Sequence, residues 1–346
     1  IVAQVQVTGG LNTAEHTGFA WGHSGVVGRG GQSSFAGSRR PFPGRLEGSR
    51  TTRTRASENR VNARVDPTAM LEVARRAAEA AALVHREGRG RFDPAEWTEK
   101  GRSDFVTEVD VEAERRILEI IRETFAAHDV MAEEGTDDSS SGTSGIRWII
   151  DPLDGTTNWL HGYPEYAVSL AAEDEEGLLV ALVLNSATGE QFEATRGGGA
   201  TLDGVPIRVS AVAELKHALV GTGFPFKKTE VLPDYLVTFE RVLRETSGIR
   251  RAGAAALDLC DLACGRLDAF FEYWLMPWDV AAGALIVREA GGVFERLEVP
   301  GLEQSLASGA GDSGRLTNGG FVAANSALAD TFRALVGGSG RQRNDG

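Results

Sequence analysis

The chain has 346 residues, 42% of them hydrophobic and 25% charged, which is enough for one large domain or two of ordinary size. A net charge of −13 excludes a generally basic nucleic-acid binder, and two cysteines exclude a disulfide-stapled scaffold. The longest strongly apolar run, Leu178 to Leu184, is far shorter than the ~20 residues of a membrane-spanning helix, so the chain reads as cytoplasmic, with no membrane partner.

Residues 1–65 hold nine arginines, no lysine and three acids, a formal +6 that leaves −19 for the remainder. This segment is rich in Gly, Ser and Thr and has no sustained apolar periodicity, so it reads as a disordered basic extension. It is the one part of the chain with the charge to contact nucleic acid. It lacks the apolar core of a secretory signal. Its Arg-rich, acid-poor composition resembles an organellar transit peptide. The chain opens on Ile1, however, and a start placed too far upstream is the preferred reading.

Folded structure is predicted from Asp66-Pro67, an N-cap followed by a proline at the first helical position. Leu71, Ala74, Ala78 and Ala81 continue at helical spacing to Gly88. After an irregular stretch over 89–106, a second helix runs from Val109 to Phe125, with Thr107 and Asp110 placed to form a capping box. Residues 137–145 read as a Ser/Gly-rich linker.

Arg147–Asp151 reads as a buried strand, and Tyr166–Ala172, Leu178–Leu184 and Gln191–Thr195 as an antiparallel meander. Strands are predicted at 218–221, 269–273, 293–296 and 321–323. They alternate with helices at 232–244, 254–263, 280–290 and 328–335. This divides the chain into 1–65, an N-terminal α+β half at 66–196, a C-terminal α/β half at 197–337, and a frayed tail at 338–346.

The densest chemical signal is Asp151-Pro-Leu-Asp-Gly-Thr-Thr-Asn158. Two carboxylates three apart close a strand, around a proline that delays any helix. The following Gly-Thr-Thr can present backbone N–H groups to an anion if a helix starts there. Acids beside an anion site make electrostatic sense when a cation sits between them, and Mg²⁺ completed by a substrate phosphate fits. The competing reading is an Asp-rich turn with local hydrogen bonds. Glu133-Glu134 follows the apolar Val130-Met131-Ala132, and Asp279 precedes an apolar helix as a natural N-cap. Cys260 and Cys264 read as buried thiols, and His161 as a surface or structural histidine.

The segment 151–158 resembles the first signature of the inositol monophosphatase family. Trp278-Asp-Val-Ala-Ala-Gly-Ala-Leu-Ile-Val-Arg-Glu-Ala-Gly-Gly292 is similar to the second. Asp104–Asp110, Glu133-Glu134, Gly223-Phe-Pro-Phe226 and Arg250–Ala256 extend the resemblance to bacterial-type members, over roughly residues 67–336. Family members often carry Gly where this chain has Ala132.

The resemblance implies a layered αβαβα sandwich, mixing α+β and α/β character, of the type shared with fructose-1,6-bisphosphatase and lithium-sensitive phosphatases. It implies Mg²⁺-dependent hydrolysis of a phosphate monoester, with two or three ions, inhibition by lithium, and a homodimer. By position, Glu133, Asp151, Asp154, Asp279 and the carbonyl of Leu153 match metal ligands. Asp110 and Thr156 match the pair that activates water, with Glu133 also counted as catalytic. The N–H groups of Gly155 and Thr156 match a phosphate cradle. Lys100 and Glu134 match residues near the metals. Glu272, Ala255 and Arg250 match the substrate side.

The implied substrate is myo-inositol 1-phosphate. The small-molecule alternatives are fructose 1,6-bisphosphate, histidinol phosphate and adenosine 3′,5′-bisphosphate. The alternative of another class is a binding role in transcription or ribosome assembly, known for some bacterial relatives.

Overall fold

A computed structural model of the chain describes residues 66–89, 98–101, 104–106, 108–135, 142–299 and 315–338. The basic extension, Thr107 of the expected capping box and most of the Ser/Gly-rich linker lie outside the described residues.

The chain begins with α1 (Pro67–Gly88), whose N-cap Asp66 accepts a 2.9 Å hydrogen bond from the Thr68 N–H. Strands β1 (Thr98–Gly101) and β2 (Asp104–Val106) form a small antiparallel pair within the stretch expected to be irregular. Helix α2 (Glu108–Phe125) and strand β3 (Asp129–Ala132) follow. The central strand β4 (Arg147–Asp154) leads into the short helix α3 (Thr156–His161).

The meander is β5 (Ala167–Asp174), β6 (Gly177–Asn185), β7 (Gln191–Thr195), β8 (Gly199–Leu202) and β9 (Val205–Pro206). Then come β10 (Leu219–Thr222), α4 (Leu232–Glu245), β11 (Gly248–Arg250) and α5 (Ala255–Ala263). The chain continues through β12 (Ala269–Leu275), α6 (Pro277–Glu289), β13 (Gly292–Leu297), β14 (Gly319–Asn325) and α7 (Ala329–Gly337).

Strands β3 to β9 form a seven-stranded sheet in chain order, antiparallel except for the parallel pair β3–β4. The second sheet has the order β11-β10-β12-β14-β13, parallel from β11 to β12 and antiparallel beyond. Helices α1 and α2 cover the outer face of the first sheet, α5 and α6 lie between the sheets, and α4 and α7 cover the outer face of the second. The result is the expected αβαβα layering.

The layering follows from which faces are apolar. Trp148 and Ile150 of β4 join the core under α1 and α2, while Ile149 between them joins the core around α5 and α6. A strand that is apolar at successive positions can bury both faces, and the first sheet is covered on both. Helix α6 is apolar nearly all round, as a helix between two sheets must be. Its Gly283 lets α5 approach closely: a Cβ there would lie 2.6 Å from the Leu259 side chain.

One helix start differs from expectation. Asp279 is not the N-cap of α6, because Pro277 already occupies the first helical position and Asp279 falls at the third. Its Oδ2 accepts a 2.7 Å hydrogen bond from the Met276 N–H. Of the two thiols, Cys260 is buried and Cys264 half-buried, and both are unbridged. His161 is exposed.

Candidate active site

The end of β4 is shaped by an irregularity. Asp151 pairs with Ser169 of β5 and Asp154 with Ala167, so three steps along β4 answer two along β5. In a regular strand, residues three apart point to opposite faces. The extra residue resets that alternation and turns both carboxylates to one side. Pro152, which has no N–H to give to a ladder, sits inside the irregularity.

Gly155 then takes a left-handed conformation, φ +89°, and a Cβ there would lie 2.8 Å from the Glu165 carbonyl oxygen. Only glycine suits this corner. Helix α3 starts immediately after it, so the N–H groups of its first residues have no partner within the helix.

Four acids from three regions line one cleft of about 360 Å³: Glu133 after β3, Asp151 and Asp154 at the end of β4, and Asp279 in the first turn of α6. Gly155, Thr156 and Thr157 line the same cleft. Several of these acids are held by backbone N–H groups. Asp151 Oδ1 accepts from Leu153 at 3.0 Å, and Asp154 Oδ2 from Ala256 at 2.8 Å. The second contact is with the opening turn of α5, where Ala255 also sits. Buried Asp110, in the first turn of α2, accepts a 3.0 Å hydrogen bond from Thr156 Oγ1. The same hydroxyl lies 3.1 Å from the Leu153 carbonyl. The Glu134 N–H donates to buried Glu114 at 2.8 Å, which fixes the turn that carries Glu133.

Burial, and then repulsion from Glu133, Asp154 and Asp279, raises the pKa of Asp151 well above the usual carboxylate range. Burial and the nearby Asp279 push Asp154 up to about 7. Burial and the same neighbour push Glu272 up to about 8. Carboxylates crowded in this way bind protons unless a cation takes the protons' place.

The donor set therefore fits a hard divalent cation: all four side chains offer oxygen, and their mutual repulsion would be relieved by it. Among the described residues, no three acid, His or Cys side chains yet close around a single point. Lys227 Nζ lies 3.7 Å from Glu133 Oε1.

None of the three substrate-side residues is among those lining the cleft. Glu272 is buried beneath Gly223, where an added Cβ would lie 2.3 Å from its carboxylate. Ala255 is also buried. Arg250 is exposed, turns its guanidinium back to the Ile249 carbonyl and does not line the cleft. The next residue, Arg251, does line it, as do Phe226 and Lys227. The backbone of Lys100 lies in β1, and its side chain is outside the described residues.

The sequence reading did not single out Lys227 or Arg251. Nor did it assign a task to Asn158, whose Nδ2 donates to the carbonyls of Glu165 at 2.7 Å and Ala252 at 3.0 Å. That amide ties α3 to the segment carrying Arg251. The two cations could have been noticed as bases flanking the Phe-Pro-Phe and Arg-Ala-Gly motifs, but their convergence depends on the tertiary fold.

The layered fold is that of solved inositol monophosphatases. The chain belongs to the Inositol monophosphatase family, whose model matches residues 66–335. It is 47% identical over 227 residues to the Nus factor SuhB of Pseudomonas aeruginosa, covering 65% of this chain and 84% of that protein. Among solved structures, it resembles the extragenic suppressor protein suhB of Bartonella henselae, with TM-score 0.68 and 32% identity over 78% of this chain and 98% of that one. It also resembles the inositol monophosphatase of Anabaena, with TM-score 0.64 and 33% identity over 78% of this chain and 95% of that one.

Proposed function

We propose that this protein is a Mg²⁺-dependent phosphate monoester hydrolase whose preferred substrate is myo-inositol 1-phosphate. The observation that carries the reading is the convergence of Glu133, Asp151, Asp154 and Asp279 on the cleft that Gly155 and Thr156 line. Membership of the family supports it.

Glu133, Asp151, Asp154, Asp279 and the Leu153 carbonyl would hold the metal. Bound there, Mg²⁺ neutralises phosphate charge and lowers the pKa of water. The remaining work falls to the chain. The N–H groups of Gly155 and Thr156 cradle phosphate oxygens. Thr156 Oγ1 holds the attacking water in line, and Asp110, bonded to that hydroxyl, takes its proton through it. The ester O–P bond breaks as the water oxygen bonds to phosphorus; the leaving alkoxide takes a proton from solvent water, and the hydroxide so formed is neutralised by the proton that Asp110 releases. The products are inositol and inorganic phosphate.

Glu272 stands nearest the sugar in this reading, at the polyol end beneath Gly223. The test is a substrate panel of myo-inositol 1-phosphate, fructose 1,6-bisphosphate, histidinol phosphate and adenosine 3′,5′-bisphosphate. The inositol ester should be turned over fastest, and Glu272→Gln should weaken it far more than p-nitrophenyl phosphate. Equal losses on both esters would contradict the inositol assignment.

A second reading follows from the name of the relative at 47% identity, a Nus factor: a binding role in transcription. The two are separable. Asp154→Asn removes a metal ligand and should abolish hydrolysis, while association with a purified transcription complex, if that is the role, should survive it.

A further inference from the structure

Two carboxyl groups share the layer between the second sheet and α5. On β12, Phe270 joins the core around α5 and α6, while Phe271 joins the core under α4. Alternation returns Glu272 to the α5 side, and its partner across the ladder, Phe321 of β14, lies in that same core. Asp258 enters the layer from α5. A Cβ placed on Gly221 would lie 3.5 Å from the Asp258 Cβ, and one placed on Gly223 would lie 2.3 Å from the Glu272 carboxylate. The two glycines are two residues apart, so they open the same face of this segment, and each admits one acid. Thr222 between them faces the other way, its hydroxyl 2.9 Å from the Tyr235 hydroxyl of α4.

Other buried acids are held by donors. Glu173 pairs with Arg147, Glu193 with Arg75, and Asp268 accepts from the Ser210 hydroxyl and from the Leu219 N–H at 2.7 Å. Asp258 is only 2% exposed, and its Oδ2 has no hydrogen-bond partner among the described residues. An apolar side chain on this apolar helix would avoid that cost.

Burial raises the Asp258 pKa well above the usual carboxylate range, and Glu272 and then Asp154 add to the shift. Because burial is the largest cause, Asp258 keeps its proton whether or not those neighbours are ionised. A protonated carboxyl can donate a hydrogen bond, which a carboxylate cannot. A buried polar atom without a protein partner is commonly satisfied by an ordered water.

We propose that Asp258 is a positioning residue for Glu272: its protonated carboxyl donates through one buried water and holds the Glu272 carboxyl in the orientation that receives the substrate's polyol hydroxyls. Asp258 itself touches no substrate, so its effect on turnover runs through Glu272. This rests on the reading of Glu272 as the polyol contact of a phosphatase site.

The test compares kcat and KM for D-myo-inositol 1-phosphate and p-nitrophenyl phosphate, with Mg²⁺ and the full chain. The variants are Asp258→Ala, Asp258→Asn, Glu272→Gln, and Asp258→Ala combined with Glu272→Gln. The readout is the inositol-to-p-nitrophenyl ratio of kcat/KM, which a simple loss of folded protein does not move. Asp258→Ala should lower the ratio about tenfold, through KM for the inositol ester. Asp258→Asn retains an N–H donor and should stay near the wild-type ratio. In the combined variant, Asp258→Ala should add less than about twofold to the loss caused by Glu272→Gln, because the two residues act as one unit. An unchanged ratio in Asp258→Ala overturns the proposal. So does an Asp258→Asn as impaired as Asp258→Ala, or a combined loss equal to the product of the two single losses. If Glu272→Gln leaves the ratio unchanged, the reading of Glu272 as the polyol contact fails, and the positioning with it. If the wild type turns over neither ester, the phosphatase reading itself fails.

Discussion

Thr156 Oγ1 donates a 3.0 Å hydrogen bond to Asp110 Oδ1, joining the first turns of α3 and α2 across 46 residues of sequence. Asp110 is buried, and the hydroxyl faces the acid-lined cleft through a residue that lines it. In the proposed mechanism this pair moves the proton of the attacking water. Asp110→Asn keeps the shape and loses the base. Turnover should fall about 10²- to 10⁴-fold, while Mg²⁺ still raises the melting temperature as in the wild type. Loss of activity together with loss of Mg²⁺ stabilisation would instead place Asp110 among the metal ligands.

Gly155 tests the corner that turns β4 into α3. Alanine there meets both a left-handed backbone, φ +89°, and the Glu165 carbonyl oxygen at 2.8 Å. The substitution should destabilise the protein by about 1–3 kcal/mol. Activity should fall with it, because the same turn aims Asp154 and the cradle N–H groups. A wild-type melting curve for Gly155→Ala would contradict this account of the turn.

The crowded acids set the pH dependence of the metal-free protein. Asp154, pushed up to about 7, and Glu272, pushed up to about 8, each hold a proton in the folded state that an unfolded chain loses near pH 4. Stability in EDTA should therefore fall as pH rises from about 4 towards 8, because the folded state binds more protons throughout that window. Mg²⁺ requires the ionised carboxylates and removes their repulsion, so it should stabilise more at pH 8 than at pH 5. Thermal unfolding at the two pH values, with EDTA and with Mg²⁺, checks both statements. A metal-free protein more stable at pH 8 than at pH 5 would refute the crowding argument.

Much of this architecture is written locally. The Asp66-Pro67 start, the alanine stripe of α1 and the alternating strands of the meander need only nearest-neighbour rules, and they agree with the structure. The signature at 151–158 marked the chemistry because proline, glycine and two acids restrict the backbone there.

What stayed hidden depends on distant partners. Strands β8, β9 and β11 are too short to show a period. The third-position placement of Asp279 turns on a proline two residues earlier. Asp110 reads as a capping residue from its own segment alone; its pairing with Thr156 was legible only through the family resemblance. Lys227 and Arg251 become visible as cleft residues only when the tertiary fold brings them to the acids. Glu272 shows the opposite case: its matched position was visible, and its burial beneath Gly223 was not.

The central claim is that the four acids hold Mg²⁺ for phosphate-ester hydrolysis. The most direct measurement is release of inorganic phosphate from D-myo-inositol 1-phosphate by the purified full chain, with Mg²⁺ and with EDTA, beside Asp154→Asn. Steady turnover that requires Mg²⁺ and disappears in Asp154→Asn is the predicted result. Turnover equal in EDTA and Mg²⁺, or no turnover of any phosphate ester by folded protein that has taken up Mg²⁺, would contradict it.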